Sequence, residues 1–570
     1  MVLFGAMLCF IAGRLIWIQA IRGSALRQEA EDARVMPQST PAQRGGIYDR
    51  EGIALALSSA VYDVIADPVN LTHKGRTAQM LADALDEDVI SFYEQLVRPT
   101  HYAIMARGIS QAQRDMLVTS IAELPTTSST ERAFKQEMDH FLVFELAYRR
   151  VYPADSLAAQ TIGWVRTDTG EGQAGIELYY DTILKGKPGS STSERDVYGN
   201  LIPSGVQKEV PPQAGQSLIL TLDYHIQSFV DSTLASAVKE QKARAGAAIV
   251  MDVKTGELLA VSSYPTFDLN KYGRASDEQF RNRALIELYE PGSTIKPITA
   301  VAALESGSVT ASTTFVVPDE LEVGIETVRD DTEHATWPEA DLSWILQKSS
   351  NVGTSLVAFK IGPRALYRQF QQVGFTTVPD TDVPALHEAV IADPDGWVDI
   401  ELSNHSFGQG LAVSPLMMAR AIASIGNEGV LVTPHLLKET PGDPGLSQEW
   451  PTALVITPAV AREVTAMMEN VMINGTGAAI KLDGYRVAGK TGTAQKAAFG
   501  QGYDTDAYIG SFVGFFPVED PTIVIYVMID EPKGNYYGYA SAGPVFSAIA
   551  AYTAEHLAIP RSFAEGPTAE

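Results

Sequence analysis

Cysteine, histidine and positive charge are all scarce in this sequence of 570 residues. The only cysteine is Cys9, so the chain has no second thiol with which to close an internal disulfide. The 9 histidines show no H-E-x-x-H or clustered spacing, and neither a metal site nor a cofactor is predicted. Lysine and arginine number 43 against 69 aspartate and glutamate, a net charge of −26. Because no basic patch offsets this charge, we expect no nucleic acid partner.

The most apolar stretch begins the chain, in residues 2–20, and is interrupted by Arg14. A helix of this length nearly spans a bilayer, so we predict a transmembrane anchor over residues 1–21. The alternatives are a cleaved signal peptide, with small residues at 23–25 after its apolar core, and a buried helix of a soluble protein. No basic residue precedes the run, contrary to the positive-inside tendency, so we expect upstream residues to be missing from this sequence.

Residues 22–210 carry no recognisable chemistry and predict a non-catalytic pedestal domain. The sequence RGGIYDREGIALA at residues 44–56 has turn residues between two apolar stretches, which predicts a β-hairpin. Residues 77–98 have a helical pattern, and residues 142–184 mix strand and turn signals. A polar stretch with prolines at 206–216 predicts a domain boundary.

Residues 217–558 are predicted to form a second domain, followed by a flexible tail at residues 559–570. Its pattern begins with an amphipathic helix over about residues 223–243 and a hairpin whose turn contains Lys254-Thr255-Gly256. Further predicted elements are helices at 415–425 and 544–557 and strands at 508–516 and 522–529. The predicted fold class is therefore α+β, a sheet covered by helices on both faces.

The first candidate catalytic motif is Ser293-x-x-Lys296. Pro291 and Gly292 end the preceding segment, and Pro297 is tolerated only in a first helical turn, so the motif predicts a helix N-terminus. Residues three apart share a helix face, which places the lysine amine near the serine hydroxyl as a base. Taken alone, this spacing most often belongs to a capping serine and a solvated lysine.

Two further motifs follow in order. Ser349-x-Asn351 is predicted to lie in a turn between helices, with both side chains in one cleft. Lys490-Thr491-Gly492-Thr493 continues a strand, and its glycine leaves room for another backbone at a sheet edge. S-x-x-K, S-x-N and K-T-G in this order are the motif set of penicillin-recognising serine enzymes.

With these motifs in place, the chain resembles the class B penicillin-binding proteins over nearly its whole length, and within them the FtsI-type septal transpeptidases (penicillin-binding protein 3). S-x-N in place of S-x-D favours the division branch over the elongation branch. The resemblance implies an N-terminal membrane helix, an elongated pedestal or dimerisation-like domain, and a penicillin-binding transpeptidase domain with an antiparallel sheet flanked by helices, as in serine β-lactamases. The segments that carry it are RGGIYDREG at 44–52, RVYP at 150–153, MDVKTGELLA at 251–260, EPGSTIKP at 290–297, KSSNVG at 348–353, SFGQG at 406–410, AGKTGTA at 488–494 and DEPKG at 530–534.

The resemblance also implies catalytic roles. Ser293 is expected to attack the penultimate D-alanine carbonyl of a donor stem peptide and to form an acyl-enzyme, with Lys296 as general base. Ser349 and Asn351 are expected to relay protons and to bind the donor amide, while Lys490 keeps that relay cationic.

For the third motif the resemblance implies substrate binding. Thr491 and Thr493 are expected to bind the donor carboxylate, with Gly492 between them in the substrate-binding strand. The backbone N–H groups of Ser293 and Thr493 are expected to form the oxyanion hole. Gly408 and Gly410 either line the cleft or serve the turn before the 415–425 helix.

The implied partners are D-Ala-D-Ala stem peptides, β-lactam antibiotics, the membrane, and division proteins including a membrane glycosyltransferase. The implied location is the inner membrane, as a single-pass protein with its catalytic domain in the periplasm. The alternatives are a D,D-carboxypeptidase or serine β-lactamase-like hydrolase, an elongation-specific transpeptidase, and a division scaffold with vestigial catalytic residues.

Overall fold

The computed structural model of the protein describes residues 2–23, 35–194, 207–332, 334–442, 449–498 and 502–562. The chain begins with an α-helix over Val2–Ile16 that continues as a π-helix over Trp17–Ile21. Within the described ranges, none of the helices combines the length and the apolar character needed to cross a bilayer. The transmembrane helix expected over residues 1–21 is therefore not shown.

The N-terminal half contains two sheets and a set of short helices. The hairpin predicted at residues 44–56 is confirmed, with its turn between two antiparallel strands, and the helical pattern at 77–98 forms two helices separated by Asp86 in the left-handed region (φ 55°). The strands are Val35–Thr40, Ile47–Tyr48, Ala54–Ala66, Ala103–Ile109, Leu142–Val151, Gly189–Glu194, Gln207–Val210 and Leu218–Leu220. The helices are Lys74–Leu85, Val89–Leu96, Gln111–Ala122, Ser129–Phe141, Ala159–Ile162, Gly175–Tyr179 and Asp181–Leu184.

A buried ion cluster holds the hairpin against the rest of this half. Glu177 is fully buried and receives hydrogen bonds from Arg44 Nε at 2.7 Å and from Arg150 Nε at 2.6 Å. Arg44 also contacts Asp181 at 2.6 Å. Removing one member of such a cluster leaves an uncompensated charge in a low-dielectric interior. We therefore expect the loss of any one of these residues to destabilise the fold.

One sheet joins the two halves of the chain. Strand Leu218–Leu220 pairs in parallel with Ile47–Tyr48 and antiparallel with Leu437–Glu439. Strands from both sides of the predicted boundary at 206–216 therefore share backbone hydrogen bonds, which fixes the N-terminal hairpin to the catalytic half.

The C-terminal half is built on a five-stranded antiparallel sheet. The strand that contains Lys490 lies at one edge of this sheet, as predicted from the glycine in the motif. In spatial order the strands are Leu258–Tyr264, Ala245–Asp252, Ile523–Asp530, Gly502–Phe516 and Ala488–Ala498.

Helices cover both faces of this sheet, as predicted. Tyr224–Glu240, capped by Asp223, and Gly543–His556 pack together on one face, with the rings of Phe229 and Tyr552 stacked at 4.1 Å. The helix Pro415–Gly426, buried at every residue except Arg420, packs on the other face. Of the predicted tail, residues 559–562 are described and Ile559 is buried, while residues 563–570 lie outside the described ranges.

The remaining elements of this half lie between the second and third strands in sequence and form the catalytic side of the domain. The helices are Leu269–Arg274 (3-10), Asp277–Phe280, Arg283–Ile286, Gly292–Ile295 (3-10), Lys296–Glu305, Leu342–Lys348, Asn351–Ile361, Pro363–Gln372, Pro394–Gly396 (3-10), Asp399–Phe407, Pro458–Asn474 and, after the last strand, Gly538–Ser541. The short strands are Phe315–Val317, Glu320–Val323, Glu326–Arg329, Trp337–Ala340, Val430–Leu431 and Ala453–Leu454.

Candidate active site

Ser293 lies in the 3-10 turn Gly292–Ile295 that leads into the helix Lys296–Glu305. The predicted helix start is confirmed, with Pro297 in the first turn. Gly292 has φ 53°, and a Cβ there would lie 2.9 Å from the carbonyl oxygen of Thr493. The glycine therefore lets the serine turn pack directly against the third motif, leaving the Ser293 side chain half-buried.

Lys296 and Lys490 approach the second motif from two sides. Lys296 Nζ donates to Asn351 Oδ1 at 2.7 Å and to the backbone carbonyl of Ser349, and it lies 3.4 Å from Ser349 Oγ. Lys490 Nζ donates to the same Ser349 Oγ at 2.8 Å. Both lysine side chains are fully buried. Three segments that are far apart in sequence thus share one hydrogen-bonded cluster around Ser349.

The sharp turn expected between two helices is present at the second motif. The helix Leu342–Lys348 ends at Ser349, whose φ of 57° turns the chain, and Ser350 caps the helix Asn351–Ile361 by accepting from Gly353 N–H at 2.8 Å. The turn is what points Ser349 Oγ and Asn351 Oδ1 toward the same amine.

Asp330 holds the turn at Ser349 in place through hydrogen bonds. Its role was not predicted from the sequence. Its carboxylate accepts hydrogen bonds from the backbone N–H groups of Asn351 at 2.5 Å and Val352 at 3.0 Å, and from Ser350 Oγ at 2.7 Å. A carboxylate at a helix N-terminus satisfies free N–H groups and complements the helix dipole. The only sequence feature that could have indicated this capping role is the position of an acidic residue directly after the strand Glu326–Arg329.

The two buried lysines influence each other's protonation. Burial lowers the pKa of Lys296 to about 8, against the opposing effect of the Asp330 and Asp331 charges. Burial, and then the neighbouring Lys296, lower the pKa of Lys490 well below its ordinary value. A neutral Lys296 amine is suited to accept a proton. The lowered pKa of Lys490 is opposed to its expected role as a permanent cation. The reason is that charging two adjacent buried amines at once costs free energy.

The third motif places its two threonines differently. Thr493 lines the cleft beside Ser293, and its Oγ1 accepts from Gly538 N–H at 3.2 Å. Thr491 is buried, and its hydroxyl is hydrogen-bonded to Thr476 Oγ1 at 2.8 Å. Thr491 is thus not among the lining residues of the described cleft, and its binding of the donor carboxylate stays a prediction. Thr476 was missed because it stands 14 residues before the motif in no recognisable pattern.

A cleft of about 290 Å³ opens in front of Ser293. In the described part of the chain no hydrogen bond joins the Ser293 hydroxyl to Lys296, whose amine is held by the second motif instead. Gly408 accepts the Gly292 N–H at 3.0 Å through its carbonyl, so this glycine serves packing, whereas Gln409 lines the cleft. The lining residues are Gly292, Ser293, Asp331, Asn351, Phe407, Gln409, Thr493, Gln495, Tyr508, Tyr536 and Tyr537.

One group of three potential metal ligands occurs among the described residues, away from these lining residues. Oxygen or nitrogen atoms of Glu51, Asp223 and His556 lie within 4.8 Å of one another. Asp223 Oδ1 already accepts the N–H groups of His225 and Ile226 as a helix cap, and Oδ2 lies 3.0 Å from His556 Nε2. These contacts account for Asp223 as a helix cap that is also hydrogen-bonded to His556.

Comparison with known families matches both halves of the chain. Residues 246–551 match the penicillin binding protein transpeptidase domain, and residues 39–220 match the penicillin-binding protein dimerisation domain. Each of the two matches contains strands of the sheet that joins the halves, which supports a two-domain α+β fold.

Relatives and solved structures agree over almost the full length. The chain is 32% identical to the probable peptidoglycan D,D-transpeptidase PenA of Neisseria gonorrhoeae, covering 95% of this chain and 89% of that protein. It is also 32% identical to the peptidoglycan D,D-transpeptidase FtsI of Escherichia coli K12, covering 95% and 88%. The crystal structure of penicillin-binding protein 3 from Mycobacterium tuberculosis in complex with aztreonam superposes with a TM-score of 0.70 at 27% identity, covering 92% of this chain and 98% of that one. With three motifs meeting at one cleft, this chain belongs to the class B penicillin-binding proteins, a family of serine-type peptidoglycan D,D-transpeptidases.

Proposed function

We propose that this protein cross-links D-Ala-D-Ala stem peptides of peptidoglycan through an acyl-enzyme on Ser293, during synthesis of the division septum. The observation that carries the proposal is the cluster in which Lys296 and Lys490 both contact Ser349, beside a cleft lined by Ser293 and Thr493. This arrangement supplies a nucleophile, a base of lowered pKa and a sheet edge in one place.

In the proposed acylation, Lys296 in its neutral form removes the hydroxyl proton of Ser293. The oxygen attacks the penultimate D-alanine carbonyl carbon, and the C–N bond to the terminal D-alanine breaks. Ser349, between Lys296 and Lys490, passes a proton to the leaving amine. The backbone N–H groups of Ser293 and Thr493 are proposed to bind the oxyanion, a contribution of about 10²- to 10³-fold for each donor.

Binding of the donor is assigned to the edge strand. An extended peptide adds to a sheet edge through main-chain hydrogen bonds, and Thr493 lines the cleft at the strand Ala488–Ala498. Thr491 is proposed to bind the donor carboxylate together with Thr493, with its hydroxyl positioned by Thr476. β-Lactams present a carbonyl and a carboxylate in similar positions, so they are proposed to acylate Ser293 as well.

The septal role is proposed from the S-x-N form of the second motif and from the similarity to FtsI. We further propose a single-pass location at the inner membrane with the catalytic half in the periplasm, and partners in the division machinery that include a membrane glycosyltransferase. The exposed Phe4, Phe10 and Ile16 of the first helix support contact with an apolar phase.

The experiment is labelling of the purified protein with a fluorescent penicillin, followed by mass-spectrometric mapping of the modified residue. We expect a long-lived adduct on Ser293 and no adduct in the Ser293→Ala variant. Rapid release of the adduct would instead favour a β-lactamase or carboxypeptidase.

Depletion of the protein in its own cells tests the septal role. Filamentous cells with uncompleted septa are expected, whereas rounded cells would indicate an elongation role. Rescue of septation by Ser293→Ala would indicate a scaffold.

A further inference from the structure

The active-site cleft contains one carboxylate within the described part of the chain, that of Asp331. Asp331 follows directly on Asp330, whose oxygens are occupied by Ser350 and by the backbone of Asn351 and Val352. The side chain of Asp331 is exposed and makes no hydrogen bond or ion pair with another described residue. Asp330, fixed by these contacts, thus holds at the cleft a carboxylate that has no hydrogen-bond partner among the described residues and whose charge acts on Lys296 and Lys490 from a distance.

Aromatic rings share this part of the cleft with Asp331. Tyr508 and Tyr536 stack with centroids 3.9 Å apart, and the Tyr537 ring lies 4.8 Å from that of Tyr536. Asp331 and Tyr536 both line the cleft, and the pKa of Tyr536 is raised by its hydrogen bond with Tyr537, by burial and, to a smaller extent, by the charge of Asp331. A cation fits between a carboxylate and the faces of aromatic rings.

The proposed reaction uses two substrates of opposite charge. The donor peptide ends in a carboxylate, whereas the acceptor is a primary amine, with an ordinary pKa of about 10.4 and thus an ammonium at neutral pH. The buried lysines lie behind Ser293 and Asn351, and Asp331 is the anionic lining residue among those described. The cleft thereby offers the ammonium a binding position separate from that of the donor carboxylate.

We propose that Asp331 binds the ammonium of the acceptor stem peptide and so favours transfer of the acyl group to an amine over its hydrolysis by water. This inference rests on the proposed function and names the substrate recognition of its second step. Asp331 is assigned as a specificity-determining residue that contacts the acceptor, in contrast to Asp330, which positions the second motif.

In the transfer step the acyl group passes from Ser293 to the nitrogen of the acceptor. The docked ammonium gives one proton to the neutral Lys296 amine, and its nitrogen attacks the ester carbonyl carbon. The new C–N bond forms, the bond from that carbon to Ser293 Oγ breaks, and Lys296 returns its proton to the serine oxygen. Of the three ammonium protons, one stays on the amide nitrogen, one passes through Lys296 to Ser293 Oγ, and one leaves to solvent. Asp331 holds the nitrogen in place for attack.

The test measures partitioning of the acyl-enzyme in the full-length protein with a D-alanyl thioester donor. The acceptors are a peptide with a lysine side-chain amine, charged at neutral pH, and hydroxylamine, which is uncharged at that pH. For Asp331→Asn we expect the concentration of lysine peptide needed for half-maximal transfer to rise by up to about fivefold, as for loss of an exposed charge pair. Transfer to hydroxylamine is expected to stay unchanged, and added salt is expected to weaken lysine-peptide transfer in the parent protein alone.

The matched control is Glu326→Gln, which removes the same charge from an exposed hairpin position outside the cleft lining. Asp331→Glu should retain ammonium selectivity. Acylation of Ser293 by fluorescent penicillin in each variant shows that the cleft is folded. Equal losses with both acceptors, equal effects of Glu326→Gln, or no change in Asp331→Asn would overturn the assignment. If the parent protein is not acylated at Ser293, the proposed function itself fails.

Discussion

The sequence Lys-Thr-Gly occurs twice in this chain, and the two copies have opposite environments. Lys254 stands in the turn between the strands Ala245–Asp252 and Leu258–Tyr264, with its side chain 44% exposed and 3.4 Å from Asp520. Lys490 stands in the edge strand, is fully buried, and donates to Ser349. Identical triplets therefore differ in chemistry because of what the fold places opposite them.

The glycines of the two triplets differ in the same way. Gly256 has φ 83° and serves a turn, a conformation that other residues adopt only at a cost. Gly492 pairs with Ser511 in the sheet, and its missing side chain leaves room for Thr294 of the serine turn. The first glycine is required by its positive φ and by the backbone of Thr433, whose carbonyl oxygen would lie 2.5 Å from a Cβ, whereas the second is required by the serine turn 198 positions earlier in the chain.

The largest expected effect is on the rate of acylation and distinguishes the lysines of the two triplets. Lys490→Ala should lower the rate constant of acylation by about 10³-fold, because it removes the amine that contacts Ser349 in the proton relay. Lys254→Ala, the matched control, should leave that rate unchanged and alter the free energy of unfolding by less than about 0.5 kcal/mol. Stopped-flow acylation by a fluorescent penicillin measures the first quantity and denaturant unfolding the second. Similar rate losses in both variants would contradict the comparison.

The next effect concerns the glycines. In Gly492→Ala the new Cβ would lie 2.8 Å from Thr294 Cγ2 and also meet Ser511 Oγ, displacing the serine turn. We expect about 10²-fold slower acylation, the usual result of a small misplacement of reacting groups. Gly256→Ala should instead destabilise folding by at least about 1–2 kcal/mol, since its φ is positive and the new Cβ would lie 2.5 Å from the Thr433 carbonyl oxygen, with unchanged acylation of the folded fraction. Thermal unfolding together with acylation rates separates the two. A stable, fully active Gly492→Ala protein is the contrary result.

The pH dependence of acylation sharpens the contrast between a buried and an exposed lysine. Burial lowers the pKa of Lys296 to about 8, and the amine accepts a proton only when neutral. Acylation should therefore rise by about tenfold per pH unit below that pKa and level off above it. Lys254→Ala should leave the midpoint in place. A rate that does not change from about pH 6 to pH 9 would exclude Lys296 as the base.

The smallest effect concerns the threonines. Thr476→Val removes the hydroxyl bonded to Thr491, and we expect acylation to slow by about fivefold, the value of one hydrogen bond. Among the described residues, the Thr255 hydroxyl of the first triplet accepts only from the Glu257 N–H in its turn, at 3.2 Å. Thr255→Val should therefore change stability slightly and acylation not at all. Rates measured at a saturating pH decide between these outcomes, and equal rates for Thr476→Val and the parent would assign the contact a purely structural role.

Local patterns determined the secondary structure around the site. Prolines and glycines fixed the start of the Ser293 turn, apolar spacing fixed the helix Tyr224–Glu240, and alternation with glycine placed Lys490 in an edge strand. Each of these patterns involves residues that are close together in the sequence, so it can be recognised without the structure. The order of the three motifs indicated the chemistry for the same reason.

Tertiary structure alone decided which side chains meet. The sequence by itself did not reveal that Thr491 faces Thr476, that Asp330 caps the second motif, or that Asp331 lines the same cleft as Ser293. It also gave no measure of the burial that lowers the pKa of Lys296. These properties depend on desolvation and on contacts between segments up to 200 residues apart, which exist only when the sheet and its helices have packed.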